Sequence, residues 1–506
     1  MTSSEPAADV LIVGSGIMGS AVARLVRESA PTRRIVMVDG GPAIGGTPGL
    51  HLHDVAEPEL WSRYNERVSS GIQGFYAGAA PAPSRAHDVA GLEPGMHLLS
   101  TLHDGTSAMP MAAAAWNVGG MGAHWTAATP WPAGAEVFDF GDPDGWHADL
   151  ETARRLLQVR PTAIGPTAPG RIVLAALERR YRDAGPAERA PQPMPMAVTP
   201  GPDGTLLRTG PSRIFPPIAS GGDETFTLLS GTLAVALDHD GRRLRGAVVA
   251  DVATGERRVI EAAATVVCAD AFRTPQLLFA SGIRPAALGR YLNEHAFVTG
   301  RALMDLDRFG LAIDELPLPA PGEFATDSLW LPQNGPAQPF HGQIMDTTYL
   351  DEAGAPLAHS VGLSLYTPVR SRPENRIRFL EGESDLTGMP RFEIDFGYSD
   401  ADRALIERAR VEMTALARRF GDFDPATESA VLPPGSSLHQ TGTVRAGAAD
   451  DGTSVCDPDG RVWGFENLFL AGNGVVPTAV VANATLTGTV TAVRAARAAV
   501  RVLDEV

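Results

Sequence analysis

Residues 9–13 (DVLIV) run directly into residues 14–19 (GSGIMG), and the reading of that junction decides the fold. A short β-branched run suits a strand buried in a parallel sheet. Residues 21–26 (AVARLV) then read as a helix, and residues 35–38 (IVMV) as a second strand that ends at Asp39. Each piece has a task in holding a dinucleotide. Gly14 allows a tight turn, Gly16 lets the backbone approach a pyrophosphate, and Gly19 lets the helix pack close to the strand. The helix start aims unpaired N–H groups at phosphates, and Asp39 is placed to accept from ribose hydroxyls. With 54 glycines in the chain, a Gly-x-Gly-x-x-Gly match alone carries little weight. The ordered strand, turn, helix, second strand and acid carry it. The motif does not separate FAD from NAD.

A chain of 506 residues is too long for one core, so two or three packed units are expected. Lys and Arg number 42 against 59 Asp and Glu, a net charge of −17. That field repels phosphate backbones and anionic lipid, so nucleic acid and membrane surfaces are excluded as partners and a neutral small molecule is favoured. The two cysteines, Cys268 and Cys456, stand in no metal or redox spacing and suit a reducing compartment. The first residues carry Glu5 and Asp9, with no basic region and no unbroken apolar stretch, so no signal peptide is read. No run is apolar enough to span a bilayer. The expectation is a cytoplasmic monomer or small homo-oligomer.

Further along, residues 226–236, 246–252 and 257–260 read as short strands around the turn at residues 238–241 (DHDG). Residues 264–269 (ATVVCA), which contain Cys268, read as another buried strand. Thr274 then reads as a helix cap with Pro275 at the first position. Residues 131–215, rich in Pro, Gly and Arg, read as loops. Residues 361–366, 376–380 and 391–396 have strand character, and residues 400–420 form an amphipathic surface helix with paired charges. The fold class is therefore α/β. A discontinuous Rossmann-like nucleotide domain (1–130, 216–295 and 431–506) is expected, with a loop-rich excursion at 131–215. A second, α+β domain at 296–430, built on an antiparallel sheet, would cover the cofactor's reactive end.

Three stretches together resemble the glucose–methanol–choline (GMC) oxidoreductases. They are the opening motif, residues 272–278 (FRTPQLL) through Ser281-Gly282-Ile283, and the region from Leu438 to Thr487. Within that family the likeness is to pyranose oxidases and bacterial sugar and C-glycoside 3-oxidases. It rests on residues 116–130 (WNVGGMGAHWTAATP) and 288–295 (LGRYLNEH). The resemblance implies FAD as cofactor, with Gly119, Gly120, Trp125, Cys268, Gly472 and Thr485 around it and Thr126 beside flavin N5. It also implies His124 as the candidate for a covalent link to the flavin 8α-methyl group. Gly122-Ala123 stand where the pyranose oxidases have Ser-Thr. Pro477 and Thr485 read as scaffold or flavin contacts.

The same resemblance implies His439, in residues 437–443 (SLHQTGT), and Asn483 as the family's catalytic pair. The chemistry requires such a pair. Removing a hydride from a carbinol carbon leaves an alkoxide unless a base takes the hydroxyl proton, and a neutral imidazole does so near pH 7. An amide can hold the substrate oxygen in line. In residues 341–346 (HGQIMD), the likeness implies Gln343, and with less secure register Asp346, as sugar-binding groups. Trp330, Tyr349, Tyr366 and Arg370 read as packing or solvated residues.

The leading expectation is an FAD-dependent sugar oxidase acting at C2 or C3 of a pyranose, free or in a glycoside. Electrons would pass to dioxygen, giving hydrogen peroxide, or to a quinone. A C-glycoside 3-oxidase that initiates deglycosylation is the alternative within the family. Two other classes stay open. An NAD-dependent dehydrogenase would leave the His439/Asn483 segment without a task, and a flavoprotein without catalysis would not be reduced by any sugar.

Overall fold

The computed structural model describes residues 8–55, 57, 59, 88–320 and 323–505; Glu5 lies outside them. The strand Ala8–Val13 is flanked in parallel by Ile35–Val38 on one side and by Arg257–Val267 on the other. Phe226–Leu229 extends this sheet beyond Ile35–Val38, and Leu468–Leu470 pairs in parallel with the end of Arg257–Val267. The long strand Arg257–Val267 does two jobs. Its first part pairs antiparallel with Leu244–Asp251, placing Gly246 opposite Glu261. Its last part joins the parallel sheet, placing Val267 opposite Val13. Composition suggests two strands here, but Glu261 faces solvent and Ala262 the core, so the alternation runs unbroken through both.

The helix Ile17–Ser29 packs its apolar face, with Ala21, Val22 and Val26, against this sheet beside the final helix Thr485–Asp504. The helix after Cys268 spans Asp270–Ala280, so it starts earlier than a Thr274 cap would place it, and Pro275 lies inside it. Asp270 makes the earlier start by accepting from the backbone N–H of Phe272 and Arg273. Pro275 has no N–H for the Ala271 carbonyl four residues back. That carbonyl instead accepts from Thr443 Oγ1 at 2.6 Å.

The second layer is a six-stranded antiparallel sheet in the order Ser429–Val431, Ala296–Leu303, Pro356–Thr367, His341–Leu350, Asp327–Leu331 and Gln192–Pro193. The helix Asp400–Ala417 covers one face with Ile406, Ala409, Met413 and Leu416 and turns most of its charges outward, while Asp402 is buried as the partner of the Ser399 cap. Residues 131–215 hold two helices, Pro143–Leu157 and Ala168–Tyr181, where composition suggests loops. Their prolines sit in the first turn, after the caps Asp142 and Thr167, where a missing N–H costs nothing. Among the described residues no helix is long and apolar enough to cross a membrane.

Pro143–Leu157 is tied to the C-terminal helix by a buried ion pair. Asp149 accepts from Arg494 Nε at 2.8 Å and from Arg497 Nη1 at 2.9 Å, and the Arg494 and Asp149 side chains are 7% and 3% exposed. Asp149→Ala leaves Arg494 buried without its counter-ion. The expected loss is about 3–5 kcal/mol in denaturant unfolding; a loss under about 1 kcal/mol would show that the pair contributes little.

Candidate active site

The turn after the first strand is built as its sequence requires. Gly14 has φ +101°, and a Cβ there would press on the Cys268 carbonyl; one at Gly19 would collide with the Gly14 carbonyl. Ser15 is the residue that motif reasoning passes over. Its backbone N–H donates to Asp39 Oδ2 at 3.0 Å, and its hydroxyl donates to the same oxygen. The Ser15 hydroxyl also accepts from the Gly119 N–H at 2.8 Å. One side chain thus couples the glycine turn, the acid and the Gly119-Gly120 loop. Burial raises the Asp39 pKa, while Ser15 and Gly41 favour its charge.

From this turn a cavity of about 1580 Å³ runs between the two sheets. Gly14, Gly16, Asp39, Gly120, His124, Trp125, Thr126, Cys268, Gly472 and Thr485 line it at the parallel-sheet end, and Gln343, Tyr366, His439 and Asn483 at the far end. Gly119 lies immediately behind this wall, and Gly19 inside the helix. Such a volume exceeds what a small substrate alone fills. His124 Nε2 lies 2.7 Å from Asn117 Oδ1. The Asn117 amide group donates to the Val118 and Gly120 carbonyls, so its oxygen is the acceptor and His124 Nε2 carries the hydrogen. Trp125 Nε1 donates to the Thr209 carbonyl at 3.1 Å and pins the same loop.

At the far end, Asn483 Nδ2 stands 3.2 Å from His439 Nε2. The other His439 nitrogen, Nδ1, is 2.9 Å from His295 Nε2, and His295 Nδ1 is 3.2 Å from the Val480 carbonyl. A carbonyl only accepts, so His295 Nδ1 carries a hydrogen. Neutral His295 then has its lone pair on Nε2 and accepts from His439 Nδ1–H. The lone pair of His439 is thereby assigned to Nε2, the nitrogen beside Asn483. Burial lowers the His295 pKa to about 4 and that of His439 well below its ordinary value, so both stay neutral.

The His439 loop is held from behind. Buried Glu294 accepts from the Gly435 N–H at 2.5 Å, from Ser437 Oγ at 2.6 Å and from Gln440 Nε2 at 2.7 Å. Leu438 takes the left-handed conformation at φ +59°, a strained geometry that the Glu294 bonds hold in place. Tyr366 lies edge-on to His295 and stacks on His341, so it belongs to the site. Trp330 is instead a wholly buried partner of His341, donating Nε1–H to its Nδ1 at 2.9 Å. The sequence offers neither His295 nor His341 as a site residue. They lie in separate segments, and no spacing links them to position 439.

Strand alternation separates the two residues taken from 341–346. Gln343, Met345 and Thr347 face the cavity. Asp346 points to the opposite face, fully buried beside Asp327 and His359, and does not reach the cavity. The expected register is off by one residue there.

The GMC oxidoreductase family models match residues 222–297 and 371–492. A C-glycoside 3-oxidase of Microbacterium trichothecenolyticum is 39% identical, and the match covers 98% of this chain and 97% of the relative. This chain belongs to the GMC oxidoreductase family. A pyranose 2-oxidase of Tricholoma matsutake is 26% identical, over 98% of this chain and 94% of the relative. A solved formate oxidase from Aspergillus oryzae shares the fold at a TM-score of 0.66 and 13% identity, covering 98% of this chain and 99% of that one. The chain is thus an FAD-dependent oxidoreductase acting on CH–OH donors, and the expected α/β fold with a second antiparallel sheet is the family's. The site fits FAD: a glycine turn at a helix start, an acid at the second strand, and a cavity large enough for a dinucleotide.

Gly14→Val adds left-handed strain of about 1–2 kcal/mol together with the clash against Cys268. The purified variant is expected to hold at least about tenfold less FAD, read from flavin absorbance. Full occupancy would show that the turn does not grip the cofactor.

Proposed function

We propose that this chain oxidises a secondary ring hydroxyl of a glycoside, C-glycosides included, to the C3 ketone, with dioxygen as the acceptor and hydrogen peroxide as the second product. The carrying observation is the His439 lone pair, directed by His295 to Nε2, 3.2 Å from Asn483 Nδ2 at the end of the cofactor cavity. The 39% identity to a C-glycoside 3-oxidase, against 26% to a pyranose 2-oxidase, favours C3 over C2. A quinone remains the second acceptor to test.

FAD, when bound, supplies the two-electron acceptor for the carbinol hydrogen. The chain supplies the rest. Asn483 donates its amide N–H to the substrate oxygen and holds it near His439. His439 Nε2 takes the hydroxyl proton as the C–H bond breaks, so no free alkoxide forms. Asn483 lines the cavity wall with its amide and has His341 as a second side-chain partner beside His439. Gln343 offers a further amide from the opposite sheet.

His439→Ala should keep FAD and lose at least about two decades in the rate of anaerobic flavin reduction by a glycoside. Wild-type speed would remove His439 from the mechanism. The product carbonyl, located by NMR, should stand at C3; a C2 ketone would overturn the regiochemistry. The pH profile follows from the direction of the shift. Burial holds the His439 pKa well below 6.5, so the base form is complete at neutral pH and is lost only on acidification through that lowered value. The expected kcat/KM profile is flat between about pH 6.5 and 8, with its acid limb below that range; a half-maximal point at or above about 6.5 contradicts it.

We further propose that FAD is held without a covalent bond, because a link through His124 Nε2 would break its contact with Asn117. Acid precipitation should then release all the flavin to the supernatant; flavin retained in the pellet would show a covalent link.

A further inference from the structure

On the face of the six-stranded sheet turned away from the cavity, Asp327, Asp346 and His359 meet. One ligand atom from each lies within 4.8 Å of the others. Pairing explains why. Asp327 stands directly opposite Asp346 on neighbouring strands, and Thr348, two residues on, stands opposite His359. All three side chains are wholly excluded from solvent.

Their hydrogen bonding is incomplete. Neither oxygen of Asp346 has a partner, and His359 Nε2 has none. Asp327 accepts from the Thr167 N–H at 2.6 Å and from Thr167 Oγ1 at 2.5 Å, which holds its carboxylate in place at the start of the helix Ala168–Tyr181. His359 Nδ1 lies 3.1 Å from Thr348 Oγ1, which orients the ring and leaves Nε2 as its unpartnered nitrogen. Two acids and an imidazole with three unpartnered atoms, buried without a cation, form a costly arrangement. A shared proton neutralises one charge at most and leaves His359 Nε2 unused.

We propose that Asp327, Asp346 and His359 bind a divalent first-row metal ion of the zinc or manganese class. Two carboxylates and one imidazole suit such ions better than calcium or magnesium, which favour all-oxygen sites. Ligands at about 2.0–2.2 Å from an ion stand roughly 3–4 Å apart, so a small inward rotation of these side chains makes a site. The ion joins three strands of the sheet to the helix Ala168–Tyr181 through Asp327. Met345 and Thr347, the neighbours of Asp346, project from the same strand into the cavity. The metal therefore steadies a wall of the active site without touching the reacting atoms.

The test uses FAD-loaded protein, dialysed and then analysed for metals by mass spectrometry. About one equivalent of zinc or manganese per chain is expected, falling at least about tenfold in Asp346→Asn and His359→Gln while FAD content is kept. A strong chelator should remove the ion from wild type and lower its melting midpoint, and zinc or manganese should restore it. Wild type that stays metal-free after incubation with both ions overturns the proposal, and the acids then share a proton. Equal metal content in wild type and Asp346→Asn overturns it too. If Asp346→Asn does not fold, the chelation and restoration of wild type decide alone.

Discussion

The Val480 carbonyl accepts from His295 Nδ1, and the polarity of the whole reactive end depends on that contact. It fixes the direction of the two-histidine chain and leaves the outward lone pair on His439. Reversing it would put a hydrogen on His439 Nε2 and set two donors, imidazole and Asn483 amide, against each other. Val480 and Asn483 lie in the same short segment before the last helix. One stretch of chain therefore sets both the proton acceptor and the amide beside it. Burial supports the arrangement, since desolvation disfavours the charged form of both imidazoles.

The second sheet acts through its period of two. Along His341–Leu350, odd-numbered residues from Gln343 to Thr347 face the cavity, while Asp346 and Thr348 face the acid–histidine cluster. A shift of one residue in register would exchange the two sets. Pairing with Pro356–Thr367 along nearly the full length of the strand opposes such a slip. The same strand thus serves a polar wall on one side and a buried charge cluster on the other without mixing them.

The legible parts of the fold are those carried by local pattern. The glycine turn, its strand and its acid are contiguous or nearly so, and the physical demand on each residue is stated by its neighbours. His439 and Asn483 were found by resemblance rather than by spacing, and the fold brings them to hydrogen-bonding distance. His295, His341 and Tyr366 come from three further segments, so their grouping exists only in three dimensions. Proline content alone hides the helices Pro143–Leu157 and Ala168–Tyr181, because proline opposes a helix only beyond its first turn. Asp346 differs from its expected place for a related reason: a sequence likeness carries residue types but does not fix the parity of a strand.

Glu294 shows how the neutrality of the site is protected. Burial raises its pKa to about 7, yet the donors from Gly435, Ser437 and Gln440 all favour its charged form. When it is ionised, its charge is spread over those three donors on the loop that carries His439. When it is protonated, one of those acceptor positions is occupied by its own hydrogen and the loop loses a tie. The group that holds the base in place is thus itself near its titration point, while the base is far from its own. The base itself stays neutral through this range, because burial keeps its own protonation well to the acid side.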